Sequence, residues 1–595
     1  MDALPSAHKS LPRPALGGLL AGQAILLALV FSVASTSLAL IAGLTPLPRM
    51  AWPIMTGALL AAALWTGSSV RTRAALALWT AALLVICMLG AATFIDGSYD
   101  GQEYHYDTIY ALSHGWNPFH GPYASFAPPG VTALIWPEHY PVGAPMLTAL
   151  LRSGGASLAA AKGITWLPGI AVVPIWFALL YGEGMSRSKA LPLAILASAS
   201  PITIEQMRSH YVDGFVAALA MAYIGLLVLA LRQRRCDSLI CAMACLVLAI
   251  DTKFNAIAIF GAICAALCLS LALLHRWRAA FTLGTAMLGA LGFVVLIIGA
   301  FPYLTNWSRF GHPFYPVMGT DQYGVNEALL PGAVRALPDF VVFAGTTFSV
   351  FTRDFAGDPR ALFDFSEGGW PDVAIGGFGP VFGIVLLATL AMGLVILRSR
   401  LRRATGPDEP QGGALARVLL AIAGMLLISS LVTPYMWWPR FIPQLWICVS
   451  LCILAAILSQ ARWLGRLGWL CAAILAFNST LVGANSVRNG LSDTAQVRHH
   501  IAAVKDHGGP FCAAFGAAHA RIELMREAGI HVVPLTSNLP AHCQGAEPIP
   551  LADGFLGNPA TACPCQQVPG SARATATRPP DTTLADIHRL FERNK

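Results

Sequence analysis

The chain has 595 residues, 56% of them hydrophobic and 11% charged, with a mean hydropathy of +0.62 and a formal net charge of +8. A soluble chain of this length needs far more polar surface, so the composition excludes a water-soluble globular protein and points to a polytopic membrane protein. The basic excess falls in short loops between apolar runs, where it reports topology; nucleic acid is not expected as a partner.

A helix needs roughly 20 apolar residues to cross the hydrocarbon core, and its internal hydrogen bonds make the crossing tolerable. Spans are read at 16–43, 52–69, 74–95, 156–181, 189–204, 212–231, 236–250, 254–274, 280–304, 374–397, 414–433, 440–459 and 463–482. The fold expected is mostly α, a polytopic transmembrane helical bundle of thirteen spans with large periplasmic loops and a small C-terminal α/β domain. The first run follows Lys9 and Arg13 as a signal peptide would, but it is too long, and too soon followed by another span, for cleavage to be expected.

With the N-terminus placed in the cytoplasm, the inner loops collect Arg71 and Arg73, Arg187 and Lys189, Arg232, Arg234 and Arg235, Arg276 and Arg278, Arg398 to Arg403, and Arg462 and Arg466. The outer side then receives the loops 96–155 and 305–373 and the tail. An Ala-, Leu- and Gly-rich chain without an organellar signal suggests a bacterial inner membrane, N-terminus cytoplasmic and C-terminal domain periplasmic. The division expected is a transmembrane hairpin over 1–73, a catalytic module over 74–485 and a periplasmic domain with a flexible end over 486–595.

The first outer loop opens with Asp96, Asp100, Glu103, His105 and Asp107 in a chain that otherwise spends few charges. An inert solvated loop is the competing reading. Tyr104 to Leu112 is expected to form a short interfacial helix ended by Trp116-Asn117-Pro118. Glu138 and His139 follow, then an apolar stretch to Leu151 that is too short to cross and reads as a re-entrant or surface helix.

Two tight corners return to the outer face. One runs from Glu205 and Gln206 through Arg208 to Asp213; the other is Asp251-Thr252-Lys253-Phe254-Asn255. Ionisable groups at helix ends in a membrane are functional candidates. The bland alternatives are snorkelling of Arg208 and Lys253 to headgroups and a simple Asp213–Arg208 salt bridge. The second long loop begins with Thr305-Asn306-Trp307 and continues to Gly311-His312-Pro313-Phe314-Tyr315-Pro316, which reads as a rigid turn; beyond Asp354 it is acidic and Gly-rich, expected to be mobile over a cavity. Arg440, after Trp437 and Trp438, is placed to meet a phosphate, while the Trp pair reads as belt anchoring.

In the tail, Pro510 to Gly516, Ala518 to Ala528 and Ile530 to Leu535 read as strand, helix and strand. Beyond Pro559 the chain is expected to be disordered up to a short helix at 584–591. Nine of the 13 cysteines lie in apolar spans as small hydrophobes; Cys512, Cys543, Cys563 and Cys565 lie in the tail, where disulfides are permitted but their pairing is not legible. No P-loop, no GxGxxG opening a helix and no HExxH occurs.

Taken together, Asp100-Gly101-Gln102-Glu103-Tyr104-His105, the Gln206–Asp213 corner, Thr252-Lys253-Phe254 and the Asn306-Trp307…Gly311-His312-Pro313-Phe314-Tyr315-Pro316 loop resemble the GT-C class of integral membrane glycosyltransferases, in particular the bacterial group of aminoarabinose transferases and protein O-mannosyltransferases. The resemblance covers roughly 75–460, and His312 stands where Asn is commoner. It implies a donor sugar on a polyprenyl phosphate in the membrane lipid and an acceptor that is a glycolipid, glycan or protein. Asp100 is then the expected base with Glu103 second. Asp213 orients the acceptor or, with Asp100, holds a divalent cation such as Mg or Mn. Lys253, Arg440 and His105 meet the donor phosphate, and Arg208, Gln206, Glu138 and His139 complete the site. A lipid-linked-sugar transporter or flippase, and an O-antigen ligase or polymerase using a lipid diphosphate, are the competing readings.

Overall fold

The computed structural model describes residues 11–564 apart from 46, 48, 129–134, 320–336, 349–376, 402–410, 460, 508–509, 516–517, 536–548 and 553–559. Nine helices among the described residues are long and apolar enough to cross a membrane: Arg13–Ile41, Val70–Ala91, Leu158–Gly182, Asp213–Gln233, Ala256–Leu273, Trp277–Ile298, Phe382–Ser399, Gly413–Val432 and Arg462–Asp506. Shorter apolar helices, Ala51–Thr66, Cys236–Ile250 and Gln444–Ile457, stand at three more of the expected spans. The remaining one, 189–204, is not continuous. Arg187–Ser198 stops, Ser200 is extended (φ −62°, ψ 132°), and Pro201 opens the separate short helix Pro201–Gln206. Proline disfavours helical geometry in the residue before it, which is the physical reason for the break.

The bundle is built around Asp213–Gln233, in which every residue from Asp213 to Arg232 is buried. Apolar surface gains nothing by leaving lipid, so these helices hold together by close approach at small residues and by polar contacts. Gly225 shows this: a Cβ there would lie 3.0 Å from the Ile175 side chain and 3.2 Å from Trp176 Nε1. That closeness lets Trp176 Nε1 donate to the Met221 carbonyl at 2.9 Å.

Three local expectations are corrected. The segment after Tyr104 is a π-helical turn, Gly101–His105, running into the helix Tyr106–Ser113. That helix is buried at all positions but Tyr110 instead of lying at the interface, because helix Gly143–Ser153 packs along it. Gly143–Ser153 is itself buried from Gly143 to Leu151, so it is a core helix and not a surface one. Thr305 to Phe310 is no turn: it completes the helix Ala300–Phe310, which Gly311 ends in the left-handed region at φ 69°. The acidic stretch beyond Asp354 lies outside the described residues up to 376.

The last helix, Arg462–His507, has 46 residues. At 1.5 Å per residue it is about 70 Å long, more than twice the hydrocarbon thickness, so its polar second half stands outside the membrane. It leads into a sheet of Phe511–Ala514 (β1), Val532–Pro534 (β2), Ile549–Ala552 (β3) and Ala560–Pro564 (β4), ordered β2-β1-β4-β3. Strands β1 and β2 are parallel and joined through helix Ala520–Glu527, the expected βαβ unit. Strand β4 corrects the expected disorder for 560–564 alone; 565–595, with Cys565 and the short helix expected at 584–591, and Cys543 lie outside the described residues. Cys512 faces Cys563 across β1 and β4, and both are disulfide-bonded.

Candidate active site

Four segments far apart in sequence meet at one end of the bundle. The first is the loop after Val70–Ala91. Its Asp96 ties it down: Oδ1 accepts from Ser98 N at 2.8 Å and Ser98 Oγ at 2.6 Å, and Oδ2 accepts from His210 N at 2.6 Å. This tether brings Asp100 beside the second segment, where its amide donates to Tyr211 Oη at 3.4 Å. The second segment is the corner between Pro201–Gln206 and Asp213–Gln233. There Gln206 closes on the start of the next helix, its Nε2 donating to Asp213 Oδ2 at 3.0 Å and its Oε1 accepting from Gly214 N at 2.7 Å. A Cβ on Gly214 would lie 2.8 Å from the Thr203 backbone, so only glycine lets the corner fold this tightly.

Lys253 comes from the third segment, between Cys236–Ile250 and Ala256–Leu273, and its ammonium is hydrogen-bonded to Asp213 Oδ1. The corner is held by Gly143, whose amide donates to the Asp251 carbonyl at 2.6 Å. Arg440 supplies the fourth segment, a 3-10 turn at Pro439–Phe441 ahead of Gln444–Ile457, and donates through Nη1 to Asp100 Oδ2 at 2.7 Å. The site therefore carries two acid–cation pairs, Asp100–Arg440 and Asp213–Lys253.

Aromatic faces surround both cations. The Arg440 guanidinium lies 4.3 Å from the Trp438 ring centre, 4.8 Å from Tyr211 and 5.2 Å from Phe441; Lys253 Nζ lies 4.8 Å from Phe441. Cations over ring faces keep an attractive partner in a dry site. Trp438 is fully buried and lines this cage, so anchoring in a membrane belt is not its role. Sequence reading missed Tyr211, Trp438 and Phe441 as site residues. Their spacing to Arg440 (two before, one after for the latter pair) was the available signal.

His105 is buried next to Tyr104, ring centres 4.2 Å apart, and its Nε2 has no hydrogen-bond partner among the described residues. Burial lowers its pKa to about 3, opposed by Asp213 and reinforced by Lys253, so the ring is neutral. Burial raises Glu103 to about 7, His519 opposing and Asp107 and Asp100 adding to the rise. Glu103 sits at a break in the helical geometry (φ −92°, ψ −108°), which turns it out of the regular helix face. Asp100 and Asp213 are each neutralised by a cation, and no group of three or more His, Cys, Asp or Glu among the described residues is placed to hold a metal ion. The donor set does not fit a divalent cation, which draws on several free carboxylate oxygens.

Other expected residues lie apart from this pocket. Arg208 does not meet Asp213; its Nη1 donates to Asp493 Oδ2 at 2.8 Å on the last helix, which runs past this end of the bundle. His139 is structural, paired by Nδ1 with Asn306 Oδ1 at 3.0 Å, while Asn306 Nδ2 donates to the His139 carbonyl at 3.0 Å and the Tyr315 carbonyl at 2.8 Å. This explains the Asn306-Trp307 motif on helix Ala300–Phe310: Asn306 pins two segments together. Burial raises Glu138, opposed by Arg309 and a Tyr123 backbone hydrogen bond. The tail also docks here. His519 Nδ1 meets both Asp107 carboxylate oxygens at 3.1 Å, Arg152 binds Glu523 and, at 2.6 Å, Glu527, and Thr494 Oγ1 accepts from Ile95 N at 2.9 Å.

No family model matches the sequence, and no curated protein matches it. Among solved structures the chain is similar to ArnT from Cupriavidus metallidurans bound to undecaprenyl phosphate, at 12% identity over 82% of this chain and 97% of that one, with a TM-score of 0.35. It is also similar to ArnT from Cupriavidus metallidurans in the apo state, at 14% identity over 77% of this chain and 84% of that one, with a TM-score of 0.33.

Proposed function

We propose that this chain is a GT-C glycosyltransferase of a bacterial inner membrane. It moves a sugar from a polyprenyl-phosphate donor to a hydroxyl of a cell-envelope glycolipid, polysaccharide or protein on the periplasmic side. The observation that carries this reading is the meeting of Asp100–Arg440 and Asp213–Lys253 in one aromatic-lined pocket at the helix ends. Such a pocket offers what displacement at an anomeric carbon needs. It has cations for the phosphate whose charge grows as the bond breaks, and carboxylates for the acceptor proton.

Arg440 and Lys253 take the donor phosphate. In the resting site both are held by carboxylates, so the arriving phosphate competes with Asp100 for Arg440. A released Asp100 faces the acceptor, accepts its hydroxyl proton as the oxygen bonds to the anomeric carbon, and the polyprenyl phosphate leaves with the electron pair of the broken C–O bond. Asp213, fixed by Gln206, orients the acceptor, and neutral His105 donates to phosphate or acceptor. Glu103 is the second candidate for the base, favoured by a carboxyl raised to about 7, where a base is poised for catalysis near neutral pH.

The test is turnover by the purified protein in detergent. Polyprenyl-phosphate sugars are consumed and free polyprenyl phosphate is released. A requirement for a lipid diphosphate donor contradicts the monophosphate reading, and binding or translocation of the donor without cleavage contradicts transferase chemistry.

A further inference from the structure

Arg521 is unused in the site above. It lies on the tail helix Ala520–Glu527, 5% exposed, and its Nε and Nη1 have no hydrogen-bond partner among the described residues. Buried donors left without acceptors are uncommon, because each forfeits its hydration. The two carboxylates whose charges act on Arg521 are already engaged. Asp96 accepts from Ser98 and His210, and Asp493 accepts from Arg208.

His210 stands against the same Asp96. It is 4% exposed, burial keeps it neutral with a pKa lowered to about 4, and neither ring nitrogen has a partner among the described residues. Behind it is Lys162, fully buried, whose ammonium donates to the carbonyls of Ala91, Phe94 and Ala159. The cluster thus sets two buried guanidinium groups, Arg208 and Arg521, against two carboxylates, Asp96 and Asp493, with the Lys162 amine already spent on its three carbonyls. Water can satisfy the open donors, but a buried guanidinium bonds more strongly to an anion than to water. The Asp493 side chain, 21% exposed, leaves the seam a way to solvent.

We infer that the seam between the tail helix and the first outer loop is a second anion site, in which Arg521 and a ring N–H of His210 bind a small oxyanion group, phosphate or carboxylate. It is separate from the Arg440–Lys253 pocket and stands whether or not the transferase reading does. A lipid headgroup and a free ion share this chemistry.

Thermal unfolding of the purified full-length protein distinguishes them, in neutral detergent with inorganic phosphate at constant ionic strength, and separately in micelles doped with phosphatidylglycerol. A saturable rise in Tm is expected in the wild type and in Arg440→Gln, and its loss in Arg521→Gln. A rise with inorganic phosphate assigns a free ion, and a rise with phosphatidylglycerol alone assigns a headgroup. No rise with either probe, or an equal rise in Arg521→Gln, overturns the site. Should Arg521→Gln not fold, wild-type crystals grown in selenate decide: an anomalous peak on Arg521 supports the proposal, and ordered water in its place refutes it.

Discussion

Two sets of ion pairs join segments far apart in this chain, and their surroundings differ. In the pocket, Arg440 holds Asp100 and Lys253 holds Asp213 while the two cations lie over the faces of Trp438, Tyr211 and Phe441. At the docked tail, Arg152 closes the end of helix Gly143–Ser153 and is spent on three acceptors, Glu523, Glu527 and the Ala156 carbonyl at 2.9 Å. A cation backed by ring faces loses less when its carboxylate departs, so the pocket pairs suit exchange with a substrate anion. A cation forked onto two carboxylates of one helix suits a fixed joint.

The contrast is broken most sharply by matched substitutions. Arg440→Gln is expected to lower the rate of sugar transfer by about 100-fold or more while the protein still folds and inserts, since it removes charge stabilisation of the leaving phosphate. Arg152→Gln is expected to leave the rate close to wild type and to lower Tm. Rates and melting curves of the two variants side by side check this, and the reverse pattern would exchange the roles of the two regions. Next in size is the tail staple. Cys512→Ser removes the bridge to Cys563 and is expected to cost the tail about 2–4 kcal/mol, seen as a reductant-sensitive transition in the wild type that the variant lacks.

A smaller effect sharpens the role of the acidic turn between the two regions. Burial favours the protonated form of Glu103, so its folded pKa of about 7 exceeds its unfolded value. The folded state then binds more protons than the unfolded one between those values, and stability falls as pH rises through that window. Glu103→Gln is therefore expected to be neutral or stabilising above pH 7. If Glu103 is the base, the rise in turnover through about pH 7 disappears with this substitution; if it is not, the pH–rate profile keeps its shape.

Much of the bundle was legible because apolar runs of span length carry their own signal. Where it failed, local chemistry competed with hydropathy. Pro201 cut one span in two, and the polar residues from Asn485 onward concealed that the last helix continues to His507. The charged members of the pocket were also legible, since Asp100, Asp213, Lys253 and Arg440 are rare charges beside apolar runs. Their partners were not: Arg208 lies five residues from Asp213 yet pairs with Asp493, 285 positions away. Gln206, and not Arg208, took the place beside Asp213 because it sits on the last turn of its helix, facing the next one. Nothing along the chain marks the meeting of Asp107 with His519 or of Cys512 with Cys563, because tertiary contacts of that range leave no local periodicity. His139 and Asn306 were visible as a motif, but their purpose, mutual hydrogen bonding between the ends of two helices, emerges only in three dimensions.

The most direct measurement is single-turnover sugar transfer from a polyprenyl-phosphate donor by Asp100→Asn, with donor binding followed in the same preparation. Asparagine keeps the shape of Asp100 and removes both its negative charge and its capacity to take a proton. The expected outcome is that the variant folds and binds the donor yet transfers no sugar. Transfer at the wild-type rate would contradict it.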